Sequence, residues 1–321
     1  MAKNPSLDNA RILITGVQGQ VGFELVKSLS TLGAEIILAA RKPQALEGLG
    51  YTAVALDLTN EQNIRDVLNS VKPNIIINPA AYTAVDKAED DKANACLVNQ
   101  KAVEVMASVM NELKGAIVHF STDYVYNANH DHSNVETDAT SPVNVYAASK
   151  LAGEEALRVS GVPHIILRTS WVYGINGNNF VKTMLKLGRD RESLRIVDDQ
   201  VGSPTSATTL ALVVSSILQQ GFSDPVEYIK SKQGVYNISD RGFTTWFAFA
   251  KEIFVQAKRL GIELKIKDVE GIKTADYKTP AARPLNSRLS LEKIHKEFHV
   301  VPPTWQQSLG TFLHQSHIKL L

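Results

Sequence analysis

The fold of this chain is decided by the stretch Thr15-Gly16-Val17-Gln18-Gly19-Gln20-Val21-Gly22, which joins a short apolar run to an amphipathic segment. A glycine at every third position lets the backbone turn tightly and lets a ligand approach it closely. A helix that begins at such a turn presents backbone N–H groups and the positive end of its dipole to an anion. Because the apolar run Arg11–Thr15 directly precedes the turn, the order strand, glycine turn, helix predicts a dinucleotide-binding βα unit.

Strand-like runs and helical patterns alternate through the first half of the chain. The runs are apolar almost throughout, which is typical of parallel strands covered on both faces. Repeated βα units with short connections predict an α/β fold with a Rossmann-like, doubly wound parallel sheet. The predicted strands are Arg11–Thr15, Glu35–Ala39, Thr52–Leu56, Asn74–Asn78, Ala116–Ser121 and His164–Arg168. The predicted helices between them are Val21–Thr31, Glu61–Val71, Asn94–Asn111 and Tyr146–Ser160, the second opened by a capping box of Thr59 and Gln62.

The pattern changes after about Ser170, where helical segments mix with isolated strand-like pieces and proline-containing loops. This change predicts a smaller α+β substrate-binding region made of residues 170–207 and 239–321. Residues 1–169 are predicted to form the NAD(P)-binding domain, and residues from about 208 to 238 are predicted to return to it. The strand-like pieces of this half are Leu194–Val197, Val235–Ile238 and Leu264–Lys267.

The composition is that of an ordinary globular protein, with 44% apolar and 21% charged residues over 321 positions. A formal net charge of +1 indicates neither a nucleic-acid surface nor a polybasic membrane-binding face. The longest aliphatic stretch, Leu210–Leu218, is shorter than the ~20 residues that a membrane helix needs. Cys96 is the only cysteine, which suits a reducing compartment, and Met1–Ala10 lacks the apolar core of a signal peptide. We therefore expect a cytoplasmic protein of enzyme size.

A phenol and an ammonium stand four residues apart in Tyr146-Ala147-Ala148-Ser149-Lys150, on one face of a predicted helix. Alone, this spacing is most often a chance surface pair. Here Thr122 closes the preceding predicted strand and the glycine turn lies upstream, so the pieces have the order of a ketone-reductase site. Reduction needs an acid that protonates the carbonyl oxygen as hydride arrives, and a free tyrosine, with a pKa of roughly 10, is a weak one. We expect Lys150 to lower the pKa of Tyr146 and to bond the nicotinamide ribose, while Thr122 bonds the substrate oxygen.

Further candidate cofactor residues lie where predicted strands end, as expected for the ligands of a doubly wound sheet. Asp57-Leu58 closes the third strand and is a candidate for the adenine site. Ala80-Ala81-Tyr82-Thr83 closes the fourth, although tight helix–sheet packing is the alternative role of its alanines. Arg41 follows the second strand, where an arginine accommodates the 2′-phosphate of NADP and an acidic residue would select NAD. The predicted cofactor is therefore NADPH, with NADH as the second possibility.

Eight segments carry a resemblance to a known family: Gly16–Leu25, Ala80–Glu89, Ser121–Tyr126, Asn144–Glu154, Arg168–Tyr173, Asp199–Thr205, Thr244–Phe247 and Arg283–Leu289. In these segments the chain resembles, nearly from end to end, the dTDP-4-dehydrorhamnose reductases of the extended short-chain dehydrogenase superfamily. The last three segments lie in the predicted substrate region, so the resemblance is more specific than superfamily membership. It implies reduction of the C4 keto group of dTDP-4-dehydro-L-rhamnose with NAD(P)H, a step in making a nucleotide sugar for cell-surface polysaccharide.

The resemblance also implies roles for individual residues. Tyr146 would be the proton donor, Lys150 its helper and Thr122 the tuning hydroxyl, while Arg283 would contact the substrate diphosphate. The other residues implied to contact the sugar nucleotide are Asp123, Trp171, Thr83, Val85 and Asp86. The residues implied to bind the cofactor are Gly19, Gln20, Val21, Asp57, Leu58, Ala81, Tyr82 and Thr83, besides Tyr146 and Lys150.

Assembly and metal binding are also addressed by the resemblance. Some family members are dimers with magnesium held by acidic side chains, which implies a homodimer. Glu24 and Glu192 fit two such positions, but the C-terminal helix offers Gln315 rather than a carboxylate. The sequence therefore predicts no metal site.

Three other features are interpreted as structural rather than chemical. The segment His130-Asp131-His132, with Glu136 and Asp138 nearby, has no tetrahedral metal-site spacing and is predicted to be a solvated loop near the site entrance. Cys96 is predicted to be a small core residue. The aromatic residues Trp246, Phe247 and Phe249 are predicted to be core as well.

Two other classes of function stay open. A sugar-nucleotide epimerase or dehydratase would share this fold, but the dehydratases carry an Asp-Glu pair after the threonine, and here Asp123 and Tyr124 follow Thr122. A non-catalytic NADP-binding subunit, similar to the regulatory β subunit of methionine adenosyltransferase, would also keep the Tyr146/Lys150 pair. Oxidation of NAD(P)H with dTDP-4-dehydro-L-rhamnose would distinguish the enzyme from such a subunit.

Overall fold

A computed structural model describes residues 7–8, 10–46, 48–126 and 130–320, so most of Met1–Ala10 lies outside the described residues. The strands are β1 (Arg11–Ile14), β2 (Glu35–Ala40), β3 (Thr52–Ala55), β4 (Ile75–Asn78), β5 (Ala116–Thr122), β6 (His164–Thr169), β7 (Val172–Tyr173), β8 (Ser193–Val197), β9 (Val201–Gly202), β10 (Thr205–Ser206), β11 (Gly234–Asn237), β12 (Thr244–Thr245) and β13 (Asp268–Ile272). The α-helices are α1 (Gln20–Leu29), α2 (Glu61–Val71), α3 (Val85–Ala88), α4 (Lys92–Cys96), α5 (Ala102–Glu112), α6 (Val145–Ser160), α7 (Phe180–Asp190), α8 (Ala207–Gln220), α9 (Pro225–Ser231), α10 (Trp246–Arg259), α11 (Glu292–Phe298) and α12 (Trp305–Leu320).

Seven of these strands form one parallel sheet, in the order β11-β6-β5-β4-β1-β2-β3. All residues of β4, β5 and β6 are buried, as their unbroken apolar runs predict. The direction of strand addition reverses between β1 and β4, so the carboxyl ends of these neighbouring strands flank a crevice. The predicted Rossmann-like, doubly wound fold is confirmed.

Helices cover both faces of this sheet. On one face, α1 and α8 pack together over Leu25 and Ile217, and the Ser28 and Ser215 hydroxyls lie 2.6 Å apart. On the other face, α2, α5 and α6 enclose Met106 and Leu157. Burial of apolar surface, at roughly 25 cal/mol per Å², therefore stabilises the sheet from both sides.

A separate apolar cluster holds the second region together. α7, α10 and α12 meet around Tyr173, Phe249 and Phe312, and β8 pairs with β13 beside them. The division of the chain into residues 1–169 with 208–238, and residues 170–207 with 239–321, stays a prediction. β11 joins the main sheet and α8 covers it, but α11 packs there too, through Phe298.

Three local predictions were wrong or incomplete. The strand predicted at Leu264–Lys267 is not formed, because the N–H groups of Lys265 and Ile266 are bonded to Gly188 O near the end of α7, and the strand of this region, β13, begins only at Asp268. The cap of α2 is Asn60, whose side chain accepts from Asn63 N, while the Thr59 hydroxyl donates to Asp57 instead. The helix predicted at Asn94–Asn111 is interrupted by a π-helical turn, Leu97–Lys101.

No helix of the described ranges is both long and apolar enough to cross a membrane.

Candidate active site

A cleft of about 820 Å³ opens at the carboxyl edge of the main sheet, where β1 and β4 end. This volume is typical of a site for a small molecule or cofactor. The cleft brings together most of the residues that the sequence predicts to be in the site, and these come from loops far apart in the chain. These are Gly16, Gly19, Gln20, Val21, Gly22, Arg41, Asp57, Leu58, Ala81, Tyr82, Thr83, Val85, Thr122, Asp123, Tyr146, Lys150 and Trp171.

The glycine turn forms one wall of the cleft. Gly16 has a φ of +58°, a left-handed conformation that L side chains rarely adopt. Gly22 lies so close to this turn that a Cβ atom would overlap the Gly16 carbonyl. Gly19 is the N-cap of α1 and leaves the helix start without a side-chain cap. The first N–H groups of α1 therefore lie in the cleft wall without a capping side chain, which fits the pyrophosphate of a dinucleotide.

Tyr146 and Thr122 meet at the centre of the site. Asn144 caps α6 by accepting a hydrogen bond from Ala147 N (2.8 Å), and this places Tyr146 in the first turn of the helix. Thr122 ends β5, and its hydroxyl, which donates to Asp123 Oδ1 (2.9 Å), lies beside the Tyr146 phenol. Burial raises the pKa of Tyr146 to about 12, although the Thr122 hydroxyl lowers it. The phenol is therefore protonated at neutral pH, as a proton donor must be.

Lys150 lies one turn further along α6 and is buried, with 2% of its surface exposed. Its Nζ is 3.2 Å from Nε2 of His119, a buried imidazole on β5. Burial lowers the pKa of Lys150 to about 8, while the Glu154 carboxylate acts to raise it. Burial, rather than Lys150, governs the pKa of Tyr146 in this arrangement. The expected lowering of that pKa by Lys150 is therefore not seen in this structure.

Asp123 adds a buried carboxyl group beside this pair. Its Oδ1 accepts a hydrogen bond from the Thr122 hydroxyl (2.9 Å), whereas its Oδ2 has no hydrogen-bond partner among the described residues. Burial raises the pKa of Asp123 to about 7. The Tyr124 ring meets the Tyr146 ring edge to face, with 6.4 Å between centroids. The Ser287 hydroxyl also acts on this carboxyl group, but Oδ2 makes no hydrogen bond of normal geometry within the described ranges, which fits a contact with a substrate hydroxyl.

Arg41 and Asp57 lie together at another part of the cleft wall. Asp57 Oδ1 accepts hydrogen bonds from the Thr59 hydroxyl (2.7 Å) and the Thr59 N–H (2.9 Å). These bonds, and to a lesser degree the charge of Arg41, lower the pKa of Asp57. Arg41 is exposed directly after β2, where the sequence places the ribose 2′-position of the cofactor.

Asn99 is a structural contributor that the sequence reasoning missed. Its Oδ1 accepts from Tyr82 N (2.8 Å), and its Nδ2 donates to Tyr82 O (3.1 Å) and to the Ser149 hydroxyl (2.9 Å), so it ties the loop after β4 to α6. A Cβ on Gly153 would overlap the Asn99 carbonyl, and the close approach of α6 to the π-helical turn therefore requires glycine. Gly153, shortly after Lys150 on the same helix, is the one sequence signal that could have indicated this contact.

Trp171 and Trp246 form a stacked pair in the cleft wall, with centroids 3.6 Å apart and ring planes 12° apart. The prediction that Trp246 is a core residue was incomplete, because it is partly buried against the core of the second region but also lines the cleft; Phe247 is partly buried there too, and Phe249 is buried as predicted. Trp171 has a φ of +45°, unusual for a residue other than glycine. Gly202 allows the indole to lie against the backbone, because a Cβ there would come within 2.7 Å of the Trp171 ring.

Two predicted substrate residues pair with each other outside the cleft wall. Arg283 donates to Asp86 Oδ2 at 2.8 Å, and its other bonds go to Thr279 Oγ1 (2.7 Å) and Ala281 O (3.0 Å). The Arg283 bond is also the main influence that lowers the pKa of Asp86. An incoming substrate diphosphate would have to bind Arg283 alongside the Asp86 carboxylate or displace that carboxylate from it.

The acidic residues considered for a metal lie apart from the cleft. Glu24 is buried in α1, whereas Glu192 is exposed and forms an ion pair with Lys267 (3.0 Å). Among the described residues, the group able to hold an ion is His130, His132 and Asp138, with ligand atoms within 4.8 Å of one another. The two imidazoles are stacked 3.6 Å apart and nearly parallel, so their in-plane lone pairs do not converge.

Cys96 is exposed, so the prediction that it is a core residue was also wrong.

Comparison with known proteins gives a consistent result. Residues 10–318 match the family model described as the RmlD substrate binding domain. The dTDP-4-dehydrorhamnose reductase of Escherichia coli strain K12 is 40% identical over 304 residues, covering 95% of this chain and 97% of that protein. The crystal structure of the Clostridium acetobutylicum dTDP-4-dehydrorhamnose reductase is 32% identical with a TM-score of 0.83, over 96% of this chain and 99% of that one. The Bacillus anthracis reductase, solved in complex with NADP, is 32% identical with a TM-score of 0.82, over 95% and 99% of the two chains.

Proposed function

This chain belongs to the dTDP-4-dehydrorhamnose reductase family, and from that membership we propose that it reduces the C4 keto group of dTDP-4-dehydro-L-rhamnose with NAD(P)H to give dTDP-L-rhamnose. The observation that carries this proposal is the meeting of Tyr146, Thr122 and Lys150 in one cleft with the glycine turn of α1. NADPH is the favoured cofactor, because the Bacillus anthracis relative binds NADP and Arg41 follows β2 here.

The proposed chemistry divides between cofactor and protein. The cofactor supplies a hydride to the substrate C4, which becomes the new C–H bond. Tyr146 gives its phenolic proton to the carbonyl oxygen, which stays on C4 as the product hydroxyl group, and the phenolate regains a proton from solvent. Thr122 bonds the substrate oxygen and the phenol, while the Lys150 ammonium stabilises the phenolate charge. Asp123, Trp171 and Val85 contact the sugar nucleotide.

Cofactor binding is assigned to backbone and side chains of several loops. The turn Gly16–Gly22 takes the pyrophosphate, with Gly19, Gln20, Val21 and Gly22 at the helix start. Arg41 takes the 2′-phosphate, and Asp57 and Leu58 hold the adenosine end. Ala81, Tyr82 and Thr83 line the path to the nicotinamide, whose ribose is bonded by Tyr146 and Lys150.

The test is an assay of NADPH oxidation with dTDP-4-dehydro-L-rhamnose. The wild type should turn over, and Tyr146→Phe should lower kcat by roughly 10²–10⁴-fold with little change in NADPH affinity, because only proton donation is lost. Tyr228→Phe, on α9, removes a phenol outside the cleft and should leave kcat unchanged. NADPH binding without turnover by the wild type would instead indicate a non-catalytic subunit, and near-normal turnover by Tyr146→Phe would reject the assigned acid.

Two wider expectations are part of the proposal. A homodimer is expected from the family, and sedimentation of the full chain would test it. A cytoplasmic location is expected for an enzyme of nucleotide-sugar synthesis, and fractionation of cells would test that.

A further inference from the structure

His119 is the buried side chain in direct contact with the proposed active-site lysine. It lies on β5, three residues before Thr122, and its surface is 0% exposed. Its Nε2 is 3.2 Å from Lys150 Nζ, and its Nδ1 is 3.0 Å from Nδ2 of Asn78, at the end of β4. Asn78 Oδ1 accepts in turn from the Thr15 hydroxyl (2.6 Å), at the end of β1. A buried polar chain thus runs from Lys150 across β5 and β4 to the glycine turn.

The contact matters because Lys150 is buried and an ammonium can only donate hydrogen bonds. Within the described ranges, the hydrogen bond that Nζ makes is the one to His119. Glu154, the carboxylate whose charge acts on Lys150, is already bonded to Arg168 at 2.9 and 2.6 Å and to the Ser121 hydroxyl at 2.5 Å. Glu154 therefore acts on Lys150 through its charge, whereas His119 fixes where the Lys150 nitrogen lies.

The two nitrogens of His119 cannot act independently. Burial, followed by the charges of Lys150 and His164, holds the pKa of His119 well below its ordinary value, so the ring is neutral and carries one N–H. If Asn78 presents its NH₂ to Nδ1, the ring proton is on Nε2 and faces an uncharged Lys150 amine. If Asn78 presents its oxygen, Nδ1 donates to it and Nε2 accepts from a Lys150 ammonium. The structure has the first arrangement, with Asn78 Nδ2 at Nδ1 and Asn78 Oδ1 on the Thr15 hydroxyl, so a charged Lys150 requires the Asn78 amide to turn over. The orientation of one amide is thus coupled to the charge of Lys150.

We propose that His119, oriented by Asn78, is the positioning residue that fixes the place and the charge of Lys150 and thereby sets the alkaline limit of the reduction. This inference rests on the proposed function, in which Lys150 must be charged to stabilise the Tyr146 phenolate. The other titratable and charged groups that face the pair are Glu154, on α6, and His164, on β6. Thr122 and Tyr146 touch the substrate, whereas His119 acts only through Lys150.

Two substitutions separate the two contacts of the ring. Glutamine places its amide about where Nε2 lies, so His119→Gln keeps an acceptor for Lys150 and loses the contact with Asn78. Asparagine reaches only about as far as Nδ1, so His119→Asn keeps Asn78 and loses Lys150. His164→Gln is the control for loss of a buried imidazole, because His164, on β6, bonds the Val162 carbonyl (2.8 Å) rather than Lys150 and acts on His119 only through charge, less than burial and Lys150 do.

The expected result is a difference between two variants that remove similar volume. His119→Asn should lower kcat about 10-fold or more and move the alkaline fall in rate about one pH unit lower, since a lost bond to a charged group is worth one to two pKa units. His119→Gln and His164→Gln should keep the wild-type alkaline limit. Asn78→Asp offers only oxygens to Nδ1, so it should move the limit upward, a direction that general destabilisation cannot produce.

The inference can also be tested without substrate, by measuring how Tm depends on pH. The pKa of Lys150 is about 8 in the folded chain and 10.5 ordinarily, so between pH 8 and 10.5 the unfolded chain binds more protons than the folded one. Tm should therefore rise with pH across this range. The rise should begin at lower pH in His119→Asn than in His119→Gln, and it should disappear when Lys150→Met is added to either. Equal Tm–pH curves for the two variants, or equal losses of kcat without a shift in the alkaline limit, would overturn the inference. An inactive wild type with the expected Tm–pH difference would instead overturn only the proposed function.

Discussion

At the scale of single residues, Arg41 is the side chain on which the choice between NADPH and NADH depends. Arg41→Ala should weaken NADPH binding by roughly 10- to somewhat over 100-fold, since a hydrogen bond to a charged group is worth ~1.5–3 kcal/mol and ~1.4 kcal/mol is tenfold. NADH, which lacks the 2′-phosphate, should bind the variant as it binds the wild type. Titration of both cofactors by fluorescence measures this.

Lys42 provides the control for that experiment. It is the neighbouring exposed cation and can offer only a point charge, so Lys42→Ala should weaken NADPH binding only a few-fold. Equal weakening of NADPH and NADH by Arg41→Ala, or a clear preference of the wild type for NADH, would reject the role of Arg41.

A second prediction at the scale of single residues concerns Asp123, because ionisation of its buried carboxyl group destabilises the folded chain. Its folded pKa, about 7, lies above the ordinary 3.8, so the wild type should lose stability as pH rises from about 4 to 7. The Asn side chain of Asp123→Asn cannot ionise and still accepts from the Thr122 hydroxyl. The variant should therefore gain Tm relative to the wild type between pH 4 and pH 8, which corresponds to up to about 4 kcal/mol in the free energy of unfolding. Calorimetry at the two pH values tests this, and an advantage that does not change with pH would contradict it.

At the scale of elements, the turn between β6 and β7 presents Trp171 against Trp246 at the start of α10. Trp171→Ala should raise the KM for the sugar nucleotide and leave NADPH affinity unchanged. Trp246→Ala should raise the same KM by a smaller factor than Trp171→Ala, because it removes only the aromatic stack, worth about 0.5–1.5 kcal/mol. Trp171 itself stays in place in this variant but is less constrained. Steady-state kinetics with both variants measure the two effects.

Trp305 is the control for the stacked pair, since it is buried at the start of α12 in the core of the second region. Trp305→Phe should lower Tm without changing KM. If Trp171→Ala also lowered Tm without a specific change in KM, the pair would be a packing element rather than a binding surface.

At the scale of the whole molecule, the pair of Asp86 and Arg283 joins α3, beside the main sheet, to the C-terminal half of the chain. If Arg283 serves the substrate diphosphate, Arg283→Gln should raise the KM for the sugar nucleotide about tenfold, whereas Asp86→Asn should leave it unchanged or lower it by freeing the guanidinium. Stability should change by no more than about 1 kcal/mol in either variant, because both side chains are partly exposed. A double-mutant cycle in KM and Tm measures both, and equal rises in KM would indicate a purely structural pair.

The sequence by itself determined the features that depend on local order. The glycine turn, the unbroken apolar strands and the Tyr146/Lys150 spacing each predict their structure, because hydrogen bonding and side-chain periodicity act over a few residues. The main sheet and the loops that line the cleft therefore follow the prediction closely.

Only the tertiary structure decided which distant side chains meet inside that frame. Asn78, His119 and Lys150 come from three separate elements, and Trp246 reaches Trp171 from another part of the chain. No local pattern distinguishes His119 from a core residue of an apolar strand, or Trp246 from the buried face of a helix. Their contacts depend on how β4, β5 and α6 are aligned and on how the second region packs against the sheet, and these alignments are fixed only when apolar surfaces far apart in the sequence are buried together.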